Sequence, residues 1–147
     1  MEKFKASLVV RGDLQITDKD TYAATLASRT FRALMSITAA FDLECLQYDA
    51  INAFVNATLD EEIYCEPSIG FENPGYILRL HHALYGLRRS PLLWYKDLTN
   101  TLENLGLMPV LGVNCLFANE WLLVFFYVDD IIMIFFPQYY DQFCIFE

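Results

Sequence analysis

Two adjacent aspartates, Asp129 and Asp130, stand inside the stretch LVFFYVDDIIMIFF (residues 123–136), where every other residue is apolar or aromatic. An unpaired carboxylate in apolar surroundings is costly to desolvate. Two like charges about 4 Å apart also repel by about 4 kcal/mol at an effective dielectric of about 20. Three chemistries make the pair intelligible. The aspartates can lie on a solvated turn. They can form a carboxylate dyad sharing a proton for acid–base work, which usually needs a third group. Or they can hold a divalent cation whose charge cancels the repulsion. Magnesium takes one or two carboxylates plus substrate phosphates, and two such ions stabilise both attacking and leaving oxygens in phosphoryl or nucleotidyl transfer.

The elements around the pair narrow its position. Two apolar runs separated by two polar residues predict a β-hairpin with Asp129 and Asp130 at the turn. Asp-Asp lacks the glycine or asparagine that tight hairpins prefer, and broken local rules tend to mark functional sites. Consecutive strand residues point to opposite faces, so one aspartate faces the site and the other is peripheral; Asp129 is taken as the central one. Upstream, residues 4–12 (FKASLVVRG) read as a strand ending at a Gly-Asp turn. Residues 28–42 space Phe31, Leu34, Met35, Thr38 and Phe41 as one helical face. LECLQYD (43–49) predicts a strand, followed by a short helical or irregular turn at 51–57 and short strands at EIYCEP and YILRL. A helix is expected over residues 90–106, with Ser90 as N-cap, Pro91 at N1 and Gly106 closing it. Its stripe Trp94, Tyr95, Leu98, Leu102 and Leu105 is core packing. NCLFA predicts a further strand before the hairpin.

Composition sets the outer bounds. The 147 residues suit one ordinary domain that buries roughly two-thirds of its unfolded surface. With 55% hydrophobic and 20% charged residues the chain is not a disordered one. Mean hydropathy is +0.27, yet the aspartates cut residues 121–136 into apolar runs of eight and six, against about 20 needed for a membrane span. The excess apolar surface suggests a piece of something larger, with a face meant for another domain or partner. No secretory signal is visible in MEKFKASLVV. Cys45, Cys65, Cys115 and Cys144 form no C-x-x-C pair and read as free thiols. Adjacent His81 and His82 read as surface or core residues. The net charge of −9 opposes simple electrostatic binding to nucleic acid. Cations held by the carboxylates, or basic segments elsewhere, would have to offset it.

Four blocks, taken in order, carry a family resemblance. YVDD (127–130) between two apolar strands resembles the catalytic turn of reverse transcriptases. QYDAINAFVNATLDEEIYCEPSIGF (47–71) is similar to the segment bearing their first catalytic aspartate. LHHALYGLRRSPLLWYKDL (80–98) resembles the NKALYGLKQAPRAWY stretch of copia-type (Ty/copia) retrotransposon reverse transcriptases, and KASLVVRG (5–12) resembles their fingers strand, usually KARLVARG. The blocks cover nearly the whole chain. The fold this implies is α+β: an antiparallel palm sheet with helices on one face plus a partial fingers lobe. The expected organisation is a single partial reverse transcriptase domain over 1–147, truncated after the YVDD hairpin, without thumb, RNase H or integrase.

The resemblance implies a role for particular residues. Asp49, Asp129 and Asp130 would be the carboxylate triad, with Asp49 and Asp129 bridging two Mg2+ ions (Mn2+ a possible substitute) and the carbonyl of Ala50 a further ligand. Phe54, five residues after Asp49, stands at the family's sugar gate, where a bulky ring favours deoxynucleotides; from the residues alone it is a core aromatic. Tyr85 and Gly86 match the loop against incoming nucleotide and template, and Tyr127 joins the substrate side. Lys5 and Arg11 could grip phosphates, though isolated basic residues are more often solvated surface. Ser7 replaces the arginine expected at the triphosphate, which forfeits charge-assisted, bidentate bonds. Ala50, Ile51 and Asn52 replace a more usual VKT, and Ala57 a usual glycine. The implied partners are an RNA template, a DNA primer, deoxynucleoside triphosphates and the other polyprotein domains, with no membrane. The implied location is intracellular, in a cytoplasmic particle or the nucleus. The implied activity is RNA-directed DNA synthesis, and the alternative is an inactive relic with the same fold.

Overall fold

A computed structural model describes residues 8–146. Its contacts divide the chain into two compact units, one made of residues 1–22 and 52–94 and the other of 23–51 and 95–147. Lys5 and Ser7 lie outside the described residues.

The second unit carries the aspartates on a five-stranded antiparallel sheet. Its strands are β1 (Glu44–Asp49), β4 (Met108–Pro109), β5 (Leu116–Ala118), β6 (Leu122–Tyr127) and β7 (Asp130–Phe135), in the order β1-β7-β6-β5-β4. The hairpin β6–β7 forms the middle of the sheet because its apolar runs bury both faces: Leu122, Val124, Phe125, Phe126, Ile134 and Phe135 are all buried. The register pairs Phe125 with Ile132 and Ile132 with Gln47. One face therefore carries Phe125, Tyr127, Asp130, Ile132, Gln47 and Asp49, and the other carries Phe126 and Phe135.

Helices cover both faces, where one covered face was expected. Helix α1 (Ser28–Ala40) sets Phe31 edge-on against Phe125, with ring centroids 6.0 Å apart. On the opposite face, Tyr95 meets Phe126 at 5.9 Å, and Phe143 of α4 (Tyr140–Phe146) stacks on Phe135 at 4.5 Å. The reason is the double burial of the hairpin, since alternating faces that are both apolar both need cover. Of the expected α1 stripe only Leu34 is fully buried.

In the first unit, β2 (Thr58–Cys65) and β3 (Leu78–His82) form an antiparallel ribbon. Short helix α2 (Ala53–Asn56) precedes it, with Ala53 and Ala57 buried. The strand expected at residues 4–12 is absent from its described part. Residues 8–11 run without strand pairing, tied to the YGL loop by the Val10 amide donating to the Tyr85 carbonyl at 2.8 Å, and then form a 3₁₀ turn at Gly12–Leu14. Here glycine is required. A Cβ on Gly86 would collide with the Val10 carbonyl, and one on Gly12 with the Gly86 carbonyl.

Helix α3 (Ser90–Asn104) ends as expected. Gly106 takes φ +83°, and the Gly106 and Leu107 amides donate to the carbonyls of Glu103 and Leu102 at 2.9 and 3.0 Å, a Schellman closure. Its start differs. Ser90 is already helical, and its buried hydroxyl donates to the Leu84 carbonyl at 2.7 Å, so it satisfies an upstream carbonyl instead of capping the helix. Leu105 falls outside the buried stripe. No described helix is long and apolar enough to cross a membrane.

Candidate active site

Strand β7 begins at Asp130, so the turn is made by Val128 and Asp129 and not by the two aspartates. Tyr127 pairs with Asp130 across this two-residue loop. Val128 has φ +59°. Only the first loop position is left-handed, the pattern of a type II′ hairpin turn, which normally places glycine there. A β-branched residue in that region is a genuine outlier, and such strain concentrates at functional sites. The turn leaves Asp129 outside β7 and makes Asp130 its first residue.

Asp49 is the last residue of β1 and pairs directly with Asp130. Beyond them the Ala50 amide donates to the Asp129 carbonyl at 2.9 Å. That bond makes Asp49/Asp130 a non-hydrogen-bonded pair, the type whose side chains approach more closely, with Cα atoms about 4.5 Å apart. Like charges directly opposite each other destabilise a sheet. Asp49 is exposed and the other two are half-buried. Among the described residues no hydrogen bond or ion pair engages the carboxylates of Asp49 and Asp129.

Asp130 has one partner, which the sequence reading missed: Gln47 Nε2 donates to its Oδ1 at 2.9 Å. The signal was present, because Gln47 and Asp49 are two apart on a strand and share a face. Gln47 and Asp130, with Phe31, Phe125, Tyr127 and Ile132, line a cavity of about 350 Å³ on that face. Tyr127 is 56% exposed.

The other expected residues belong to the first unit. Phe54 and Tyr85 are half-buried and pack ring to ring at 4.7 Å. Gly86, at φ +93°, lends its missing side chain to the crossing by Val10 and Gly12. The Arg11 fork is taken by Asp13, with Nε–Oδ1 2.8 Å and Nη2–Oδ2 2.7 Å. The pairing holds the Asp13 carboxyl below the usual carboxylate range and the guanidinium above its own. A cavity of about 590 Å³ in this unit is lined mainly by apolar residues and includes, of the expected site residues, Arg11.

The described residues offer no group of three or more carboxylate, imidazole or thiol side chains gathered to hold a metal ion. Magnesium requires less than that, one or two hard carboxylate oxygens with phosphate and water completing the shell. Asp49 and Asp130, held opposite each other with no described cation to neutralise them, have the right donor chemistry and number.

A family model described as Reverse transcriptase (RNA-dependent DNA polymerase) matches residues 1–136. The Retrovirus-related Pol polyprotein from transposon TNT 1-94 of Nicotiana tabacum is 29% identical over 143 residues, covering 90% of this chain and 11% of the polyprotein. That from transposon RE1 of Arabidopsis thaliana is 30% identical over 145 residues, covering 90% and 10%. The chain thus spans about a tenth of the length of the curated relatives it matches. No solved structure matches it. All four sequence blocks fall within the matched residues, ending with the YVDD turn that β6 and β7 hold beside Asp49. The chain belongs to the reverse transcriptase family, on the copia-type branch to which those blocks pointed.

Proposed function

We propose that the chain is the fingers–palm portion of a copia-type reverse transcriptase, and that it serves RNA-directed DNA synthesis by nucleotidyl transfer. The observation that supports this reading is the strand register that sets Asp49 opposite Asp130, with the Ala50 amide bonded to the carbonyl of Asp129 in the adjoining turn. Asp49 and Asp129 would hold two Mg2+ ions, with Asp130 and the Ala50 carbonyl as further donors; Mn2+ would substitute. When bound, such ions lower the pKa of a primer 3′-hydroxyl and stabilise departing pyrophosphate. The chain's own contribution is positional. The sheet ladder fixes the carboxylates, and the strained Val128 turn presents Asp129. By the family resemblance Phe54, which packs on Tyr85 within the first unit, would be the ring that favours a deoxyribose. The substrates would be deoxynucleoside triphosphates on an RNA template with a DNA primer. The thumb, RNase H and integrase portions of a Pol polyprotein would be the partners, working in a cytoplasmic particle or the nucleus.

A second reading, an inactive relic with the same fold, is favoured by one observation. The Arg11 fork is already engaged by Asp13, and Ser7 brings no guanidinium, in a chain of net charge −9. Primer extension separates the readings. The purified chain with Mg2+, a primed RNA template and deoxynucleotides should extend the primer, and Asp129→Asn should lower the rate about 100-fold or more, the scale of losing one charge-stabilising group. Equal extension by parent and variant would remove Asp129 from the site. Absence of extension by the parent, even with a thumb-containing polypeptide added, would favour the relic.

A further inference from the structure

We infer that Gln47 is a positioning residue of the carboxylate site, setting the orientation of Asp130 so that one of its oxygens stays directed at the cation position beside Asp49. The inference rests on the reading of the aspartates as a divalent-cation site. Gln47 and Asp130 are diagonal neighbours across β1 and β7, because Gln47 lies two residues before the partner of Asp130. Diagonal neighbours stand about 7–8 Å apart, within reach of a long side chain and beyond a short one. A carboxylate only accepts, so the NH2 end of the Gln47 amide must face it, and it does so at 2.9 Å to Oδ1. Without that bond, repulsion from Asp49 would turn the Asp130 carboxylate away. With it, Oδ1 is occupied, and Oδ2, which has no partner among the described residues, remains available as a ligand. A neutral amide does this without adding a positive charge that would exclude the metal. Hydrogen-bond partners of ligating groups matter in this way at metal sites generally, where removing one costs 10- to 100-fold in affinity.

The test uses the full chain with Mn2+ alone as probe, free Mn2+ being counted by its electron paramagnetic resonance signal. Gln47→Leu removes the donor, while Gln47→Asn keeps the amide but loses one methylene of reach. Both should raise the Mn2+ dissociation constant about tenfold, while urea unfolding stays within the ~0.5 kcal/mol of ordinary surface substitutions. In an Asp130→Asn background, Gln47→Leu should have no further effect. Two results would overturn the inference: an unfolding shift with Mn2+ affinity unchanged, or the same loss of affinity with and without Asp130. If Asp49→Asn binds Mn2+ as the parent does, the cation-site reading itself falls; if Asp130→Asn alone does so, Gln47 has no ligand to orient and its role is lost. If Asp130→Asn loses Mn2+ and both Gln47 variants keep it, the reading stands and only the role of Gln47 is lost.

Discussion

Around Arg89, in the first unit, the chain gathers two cations and two carboxylates; around Asp130, in the second, it sets Asp49 directly opposite with no cation among the described residues beside the pair. Arg89 is 5% exposed and its Nη2 lies 2.7 Å from Asp60. Its Nη1 lies 4.0 Å from Glu61, which Lys19 holds at 2.9 Å. A guanidinium taken out of water must be neutralised where it sits, and here the neighbouring strand β2 supplies the opposite charge. The aspartate cluster keeps contact with solvent and leaves its charge unbalanced. The contrast separates charge paired within the chain from charge that the described residues leave unpaired, which the proposed cation would neutralise.

The contrast can be broken most sharply at Asp60. Asp60→Ala should destabilise the chain by about 3 kcal/mol, read by urea unfolding. That is the low end for breaking a buried pair, because Asp60 is itself half exposed while Arg89 is left buried with its charge uncompensated. A change within ~0.5 kcal/mol would mean that water already serves Arg89, whose Nε and Nη1 have no hydrogen-bond partner among the described residues.

At the aspartates the sign should reverse. Asp130→Asn relieves the repulsion with Asp49 and should leave stability unchanged or raise it by up to about 1 kcal/mol. Mg2+ at a hundredfold excess over its dissociation constant should stabilise the parent by about 2.7 kcal/mol and stabilise Asp130→Asn by less. Destabilisation by Asp130→Asn without Mg2+ would place this cluster in the same class as the one at Arg89.

The smallest effect concerns a group in the aspartate-bearing unit that is buried and uncharged. Cys115 is 2% exposed and its Sγ donates to the Ala24 carbonyl at 3.3 Å. Burial pushes its pKa from 9.0 up to about 11. The folded thiol therefore keeps a proton that the unfolded one has lost, so its contribution is intact below about pH 9 and declines as the pH rises toward about 11. Cys115→Ala should flatten that alkaline slope, and the parent thiol should resist maleimide at neutral pH while the chain is folded. Unchanged slope and rapid labelling would contradict its burial.

Most of the architecture was legible because it is local. Two apolar runs broken by polar residues identified β6 and β7, the Leu-rich spacing with Gly106 identified α3, and short turn-rich stretches bounded β2 and β3. What failed was non-local in each case. Residues 8–11 resemble a strand in sequence but pair with no strand among the described residues; the Val10 amide is tied instead to the Tyr85 carbonyl. Ser90 has the chemistry of a cap, yet a buried carbonyl at Leu84 takes its hydroxyl. The hairpin turn shifted by one residue because Val128 accepts a left-handed conformation that its side chain disfavours, under constraint from the ladders on either side.

The sequence by itself determined that two carboxylates sit at the tip of an apolar hairpin, that the ordered blocks are those of a copia-type reverse transcriptase, and which residue types a cation could use. Only the tertiary structure decided which aspartate faces Asp49, that Gln47 holds it, and that Arg11 is spent on Asp13. The physical reason is that composition and spacing fix what a side chain can donate or accept. Whether it does so depends on strand register, and register brings together residues 47 and 130 that are 83 positions apart in the chain.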